Sequence, residues 1–119
     1  MYYIDGFIVA VPRKNLKAYQ KISKKAGKVW RDHGALEYIE AVADDVKRGI
    51  QTSFPQAVKL RKGEVVVFSW ITYRSRKARD RILKNVMKDE RLADMMDPSK
   101  MPFDAKRMIY GGFKTFVEA

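Results

Sequence analysis

The stretch "EVVVFSWITY", residues 64–73, is the most strand-like segment of the chain. Valine, isoleucine and aromatic residues, which favour strands, fill most of its positions. Both alternating sets of side chains are mainly apolar; one set is Val65, Val67, Ser69, Ile71 and Tyr73, and the other is Val66, Phe68, Trp70 and Thr72. A strand that is apolar on both sides needs cover on both faces of its sheet. We therefore place residues 64–73 in the centre of a sheet.

Three further strands and two long helices are predicted around this segment. Residues 2–11 form the first strand, and an amphipathic helix starts near Asn15, its plausible N-cap, and closes at His33-Gly34. Residues 35–42 read as a second strand, Ser75 caps a second helix, and residues 106–118 supply the fourth strand. Short helical turns are expected around residues 55–60 and within residues 89–96.

The order of these elements is β-α-β, a long loop, and β-α-β. It predicts an α+β domain of the ferredoxin-like βαββαβ type, in which both helices cover one face of an antiparallel sheet. The usual strand order, 4-1-3-2, makes the first and third strands central, in agreement with their apolar character. At 119 residues the chain is expected to be a single domain, residues 1–119.

Two helices can cover only one of the two apolar faces of such a sheet. The simplest candidate to cover the other face is the same face of a second copy of the chain. We therefore expect a homodimer, in the arrangement known as a dimeric α/β barrel. A small-molecule pocket lined by the free face is the competing explanation, and the two can coexist.

The chain is strongly basic. Lysine and arginine total 25 against 14 acidic residues, which gives a net charge of +11. The candidates for a basic surface lie in the two predicted helices: Lys17, Lys21, Lys24, Lys28, Arg76 and Arg79. Such a surface would attract nucleic acid nonspecifically at low salt. A solvated, lysine-rich helix surface is the favoured explanation, and "KGEVVVFS", residues 62–69, lacks the base-stacking aromatics of the RNA-recognition fold.

Composition argues against several classes of protein. Cysteine is absent, which excludes disulfides and thiolate nucleophiles. His33 is the only histidine, so an imidazole-rich metal site cannot form within one chain, and we predict no metal and no cofactor. No apolar run approaches the roughly 20 residues of a spanning helix, and the N-terminus lacks a secretory signal. We expect a cytoplasmic protein without a membrane partner.

Polar residues within apolar segments are the first candidates for a ligand pocket. Asp5 lies in the first strand on the face of Tyr3 and Phe7, where a buried carboxylate needs a partner, and Arg107 on the fourth strand is the expected one. Trp70, Tyr110 and His33 are candidates for a cleft between the sheet and the helices. For His33, capping the first helix at its C-terminus is the favoured role.

The stretch "MPFDAKRMIYGGF", residues 101–113, permits two interpretations. Gly111-Gly112 inside a strand indicates a bulge or a close approach of the backbone. The favoured interpretation is structural: the bulge bends an edge strand so that the barrel can close on a second subunit. The alternative is a ligand site, in which the glycines leave space and Asp104, Arg107 and Tyr110 supply the polar contacts.

Several stretches together resemble a known bacterial family. They are "YIDGFIVAVP" (3–12), "DDVKRGIQTSF" (44–54), "VVVFSWITYRSRKARD" (65–80) and "MPFDAKRMIYGGF" (101–113). They are similar to the corresponding stretches of the family of uncharacterised proteins called DUF1428. The resemblance implies a ferredoxin-like fold of the dimeric α/β barrel type and no established activity. Two functions stay open: a small-molecule binder or enzyme, or a basic nucleic-acid (RNA) binding protein that acts through its lysine- and arginine-rich helices.

Overall fold

A four-stranded antiparallel sheet forms one layer of the molecule, and two long helices lie on one of its faces. The computed structural model describes the backbone of residues 1–119 and every side chain except those of Asp94, Met96 and Pro98. The elements are β1 (Tyr3–Pro12), α1 (Leu16–Asp32), β2 (Glu37–Val42), a short α2 (Phe54–Ala57), β3 (Glu64–Tyr73), α3 (Arg76–Met87) and β4 (Ile109–Lys114). None of these helices is long and apolar enough to span a membrane. Because it combines one antiparallel sheet with separate helices, the chain is an α+β protein.

The strands lie in the order β2-β3-β1-β4, so the prediction that the first and third strands are central is confirmed. β1 and β3 pair along their full length, from Tyr3 opposite Tyr73 to Pro12 opposite Glu64. The predicted bulge in β4 is wrong, because its ladder with β1 runs without interruption through Gly111 and Gly112. Gly112 serves a close approach of a side chain instead, since a Cβ there would overlap the Tyr3 hydroxyl and lie 2.8 Å from Cε2 of its ring, whereas Gly111 has only ordinary contacts.

Local signals set where the helices begin and end. The Ser75 hydroxyl accepts a hydrogen bond from the Ala78 amide at 3.1 Å and caps α3, as predicted. Asn15 is the N-cap residue of α1, as predicted, but its side chain makes no capping hydrogen bond and donates to the Pro102 carbonyl at 3.1 Å. α1 ends at Asp32, and Gly34 supports the turn to β2 with a φ of 115°, a conformation that suits glycine. β4 is shorter than predicted, since residues 105–107 form a 3₁₀ turn.

The apolar residues between the sheet and the two long helices form two separate groups. One group includes Val29, Ile71, Tyr73 and Ile82 near the C-terminal end of α1. The other group packs around Tyr19 near the start of α1 and contains Val9, Val11 and Val67. The core on the helix face is therefore interrupted halfway along the central strands.

The sheet face turned away from α1 and α3 is called the open face below. At one end, Val58 and Leu60 after α2 cover Ala10 and Val66. The rest is a shallow, uncharged depression, lined by Ile4, Gly6, Ile8, Phe68, Trp70, Ile109 and Phe113 among others. Phe68 is 41% exposed and Phe113 is 64% exposed. Exposed apolar area of this kind is typical of an interaction surface.

Candidate functional site

A cavity of about 550 Å³ lies in the gap between the two core groups and is called the cleft below. The sheet forms its floor, α1 and α3 form its walls, and side chains from residues 92–103 border it. Its volume falls within the roughly 300–1,000 Å³ usual for small-molecule sites. Most of the lining is apolar, including Phe7, Val9, Ile22, Leu83, Leu92 and Met108. The space suits an apolar molecule of moderate size.

Small side chains explain why the cleft exists. Ser69 stands between Val67 and Ile71 on the helix face of β3, where the pattern of its neighbours would place another branched residue. Ser23 and Ala26 face the same space from α1, and Gly112 borders it from β4. Without larger side chains at these positions the helices and the sheet cannot fill the volume between them.

Asp5 and Arg79 form a buried ion pair at one side of the cleft. The Asp5 side chain is 10% exposed, and its Oδ1 accepts a hydrogen bond from Arg79 Nη1 at 3.2 Å. Arg79 Nη2 donates to the Tyr3 hydroxyl at 3.2 Å, and the guanidinium lies 5.0 Å from the centre of the Tyr3 ring. The predicted pairing of Asp5 with Arg107 is therefore wrong, because α3 brings Arg79 over the sheet.

The electrostatics of Asp5 reflect its burial. Removal from water raises the pKa of the Asp5 carboxyl above its usual value, and the nearby Arg79 charge and a hydrogen bond with Tyr73 offset this only in part. Tyr73 in turn is bonded to Trp30, whose indole N–H donates to the Tyr73 hydroxyl at 3.1 Å. A carboxyl with a raised pKa in a cleft is a feature shared by many functional sites.

A second polar group in the cleft surrounds Glu40 of β2. Its carboxylate accepts hydrogen bonds from the hydroxyls of Tyr19 and Tyr38, the latter at 2.9 Å. Burial raises the pKa of both tyrosines well above its usual range, and the charge of Glu40 adds to this effect. Both phenols therefore stay protonated and act as donors to Glu40.

The predicted pocket residues fall into two sets. Asp5, Trp70 and Tyr110 border the cleft, and Trp70 and Tyr110 also border the open face. His33 lies outside it at the C-terminal end of α1, where its Nε2 is 2.8 Å from Asp89 Oδ2. Tyr110 is stacked on Phe7 with the ring centres 6.1 Å apart. The cleft therefore contains half of the predicted pocket residues.

Asp104 and Arg107 also lie outside the cleft, in the turn before β4, which Arg107 connects to the start of β3. Arg107 Nη1 and Nη2 donate to the two carboxylate oxygens of Glu64 at 2.8 and 2.6 Å. Its Nε donates to Asp104 at 3.1 Å, while the Asp104 carboxylate accepts from the Lys106 amide at 3.0 Å. Each group thus has a structural partner.

The predicted basic surface is only partly on the surface. Lys17, Lys21, Lys24 and Lys28 are exposed along α1, and Arg76 is exposed at the start of α3. Arg79 is a correction, since its side chain is 18% exposed and pairs with Asp5. The helix pattern alone could not distinguish it from its neighbours, because its partner lies 74 positions away in the sequence.

Sequence analysis missed Tyr19, Tyr38 and Glu40 as members of the site. A signal was present in "EYIEAV", residues 37–42, where Tyr38 and Glu40 alternate onto one face of β2. An acidic residue on the side of a strand that faces helices needs donors, and Tyr19 of α1 is one of them. Among the described residues, no group of three or more histidine, aspartate or glutamate side chains could hold a metal ion.

Comparisons with known proteins identify relatives over the whole chain. Residues 2–105 match the model of the family described as "Protein of unknown function (DUF1428)". The curated "Uncharacterized protein YbaA" of Escherichia coli strain K12 is 44% identical over 118 residues, which cover 99% of each chain. The YbaA of Shigella flexneri matches to the same extent. A solved structure, the de novo designed protein Foldit4, covers 99% of this chain and 100% of its own at a TM-score of 0.47 and 11% identity.

Proposed function

The chain belongs to the DUF1428 family of proteins of unknown function, and we propose that it binds a small, largely apolar molecule in the cleft. The observation that carries this proposal is the 550 Å³ gap in the helix-face core. The cleft is partly open to solvent and is therefore not an enclosed void of the kind that a core mutation leaves. The space is therefore filled by water or by a ligand.

The lining favours a ligand over water alone. Water that makes few hydrogen bonds is displaced readily by an apolar group, and the charged groups of the cleft are confined to the Asp5–Arg79 pair and Glu40. Between them the walls are aliphatic, aromatic and methionine side chains. Few polar groups at fixed positions within an apolar lining are the usual composition of a ligand site.

We further propose that two copies associate through the open face as a ferredoxin-like, dimeric α/β barrel. The strand order β2-β3-β1-β4, with both long helices on one face, is compatible with this fold. The open face is apolar and uncharged at its centre, so that two copies could bury it against each other without separating charges. Trp70 and Tyr110, which border both the open face and the cleft, would then link the dimer contact to the ligand site.

The alternative of nucleic-acid binding has weaker support. Its supporting observation is the exposed row Lys17, Lys21, Lys24 and Lys28 on α1. The open face, opposite α1, presents Phe68 and Trp70, and no charged residue that the structure describes lines its central depression. Phe68 and Trp70 also pack edge to face at 5.6 Å. Binding through α1 alone would be nonspecific and would weaken steeply with salt, which a titration with a labelled RNA at two salt concentrations tests.

Calorimetry with indole tests the proposed ligand site. We expect saturable binding of one indole per chain to the wild type and loss of binding in Ser69→Leu, whose larger side chain projects into the cleft from the middle of its floor. Because it fills a gap, the same variant should unfold at a higher temperature than the wild type. A variant that is destabilised, as overpacking a filled core would make it by about 1–3 kcal/mol, or that still binds indole, would argue against the cleft.

A further inference from the structure

Glu40 carries a charge that no other described side chain of the cleft offsets. Of the side chains that the structure describes, three charged ones line the cleft: Asp5, Arg79 and Glu40. Asp5 pairs with Arg79, whose Nε also lies 3.0 Å from Asp80. Among the described side chains, no lysine, arginine or histidine lies within 4.0 Å of the Glu40 carboxylate. The cleft therefore has a neutralised ion pair at one place and an uncompensated carboxylate at another.

The Glu40 carboxylate can still accept hydrogen bonds. A carboxylate has about four acceptor positions, and the hydroxyls of Tyr19 and Tyr38 occupy two of them. Neither tyrosine brings a positive charge. A ligand that donates hydrogen bonds and carries a positive charge would therefore meet both needs of Glu40.

Aromatic rings flank this carboxylate. Tyr38 packs against Trp30 with ring centres 6.0 Å apart, and Tyr19 packs edge-on against Phe103 at 5.5 Å. All four rings line the cleft. Aromatic faces attract cations, and the attraction increases when the cation is removed from water. Arg79 offers no matching site for an anion, because its charge is already paired.

We propose that the cleft selects ligands that carry a protonated amine on a flat, apolar body, with Glu40 as the counter-ion. This inference rests on the proposed function and names its ligand class. The net charge of +11 repels cations at long range, but salt screens such repulsion beyond about 8 Å under physiological conditions. A direct contact with Glu40 inside the cleft is screened far less.

Three probes with the same ring system test the inference on the wild-type protein. Tryptamine, tryptophol and indole-3-propionate share an indole body and differ in a positive, neutral or negative head. We expect calorimetry to give about tenfold tighter binding of tryptamine than of tryptophol, because both heads can donate to Glu40 but only the ammonium brings an opposite charge, and the weakest binding for indole-3-propionate. This order requires no variant.

A pair of substitutions on the same strand assigns the effect to Glu40. Glu40→Gln should bring tryptamine and tryptophol to within about twofold of each other. Glu37→Gln is the matched control, because Glu37 also lies in β2 but bonds to Thr72, at 2.8 Å, on the open-face side. It should keep the preference of the wild type.

The outcomes separate this inference from the proposed function. Equal affinities for the three probes, tightest binding of indole-3-propionate, or a preference that survives Glu40→Gln would overturn amine selection while leaving the ligand site in place. Failure of all three probes and of indole to bind would overturn the ligand site and the inference together. Tryptamine preference that is lost in Glu40→Gln and kept in Glu37→Gln supports both.

Discussion

Gly27 lets α1 pack directly against Tyr38 of β2. A Cβ at this position would lie 2.7 Å from Cδ1 and 3.2 Å from Cγ of the Tyr38 ring. Atoms so near the root of a side chain cannot move aside without shifting the strand. The approach matters for the site, because Tyr38 donates to Glu40.

Substitution of Gly27 should separate helix propensity from packing. Alanine favours a helix by about 1 kcal/mol over glycine, yet we expect Gly27→Ala to lower the free energy of unfolding by about 1–3 kcal/mol through overpacking. Urea denaturation at one fixed chain concentration measures the free energy of unfolding, with the exposed Lys25→Ala in the same helix as the control. Stabilisation by Gly27→Ala would show that the helix and Tyr38 do not meet as described.

Ser69 and Asp5 show how much of a residue's surroundings can be predicted from its place in a strand. The alternation of β1 and β3 places both side chains on the helix face, and the structure agrees. The partner of Asp5 could not be predicted, since it depends on where α3 crosses the sheet. Arg107, the expected partner, lies in the turn before β4 instead of in the strand, and its side chain bonds to Glu64 at the start of β3.

At the scale of elements, the strands and helices could be predicted because their signals are local. Alternating apolar residues marked β1 and β3, and Ser75 marked the start of α3. Local patterns failed where tertiary contacts decide the structure. The turn at residues 105–107 replaces the predicted start of β4, and the side chain of Asn15, although at the N-cap position of α1, bonds to Pro102. The cleft depends on how the two helices sit above the sheet, which no local pattern specifies.

The Arg107–Glu64 pair joins the turn before β4 to the start of β3. Their side chains are 11% and 8% exposed, and two hydrogen bonds connect them. The bonds from Arg107 hold the pKa of Glu64 below its usual 4.5. A carboxylate with a lowered pKa in the folded state stabilises the fold above its unfolded pKa and loses this effect as the pH falls through the folded value.

We therefore expect the cost of Glu64→Gln to depend on pH in a defined direction. The variant should lose about 1–2 kcal/mol of unfolding free energy at pH 7, because one charge-assisted pair is weakened. The difference from the wild type should shrink as the pH falls below 4.5. Denaturation at a series of pH values measures this difference in unfolding free energy, with the exposed Glu118→Gln as the control. A difference that grows on acidification would contradict this role of Glu64.

At the scale of the whole molecule, the open face is the feature that two helices leave uncovered. Exposure of Ile39, Phe68, Ile109 and Phe113 on one side of a small domain is unfavourable in water. Sequence alternation alone predicted this face, since it requires only the period of a strand. The alternation of apolar residues does not specify what covers the open face, and the homodimer stays a proposal.

A charge on the open face should prevent the proposed dimer. Phe113→Asp is suited to this test, because the side chain is 64% exposed and its removal disturbs little of the core. We expect light scattering to give twice the chain mass for the wild type and the single-chain mass for Phe113→Asp. Lys77→Asp on the exposed side of α3 adds the same negative group on the opposite layer and should remain dimeric. A wild type of single-chain mass would contradict the proposed assembly.

The cleft as a ligand site is most directly tested by following the indole N–H signal of Trp30 during a titration. The chain has two tryptophans, and Trp30 lines the cleft, where it donates to Tyr73 at 3.1 Å. In a ¹⁵N-labelled protein titrated with unlabelled indole, the account predicts a saturable shift of the Trp30 signal that is absent in Ser69→Leu. An unmoved Trp30 signal at saturating indole, with or without a shift of Trp70, would contradict it.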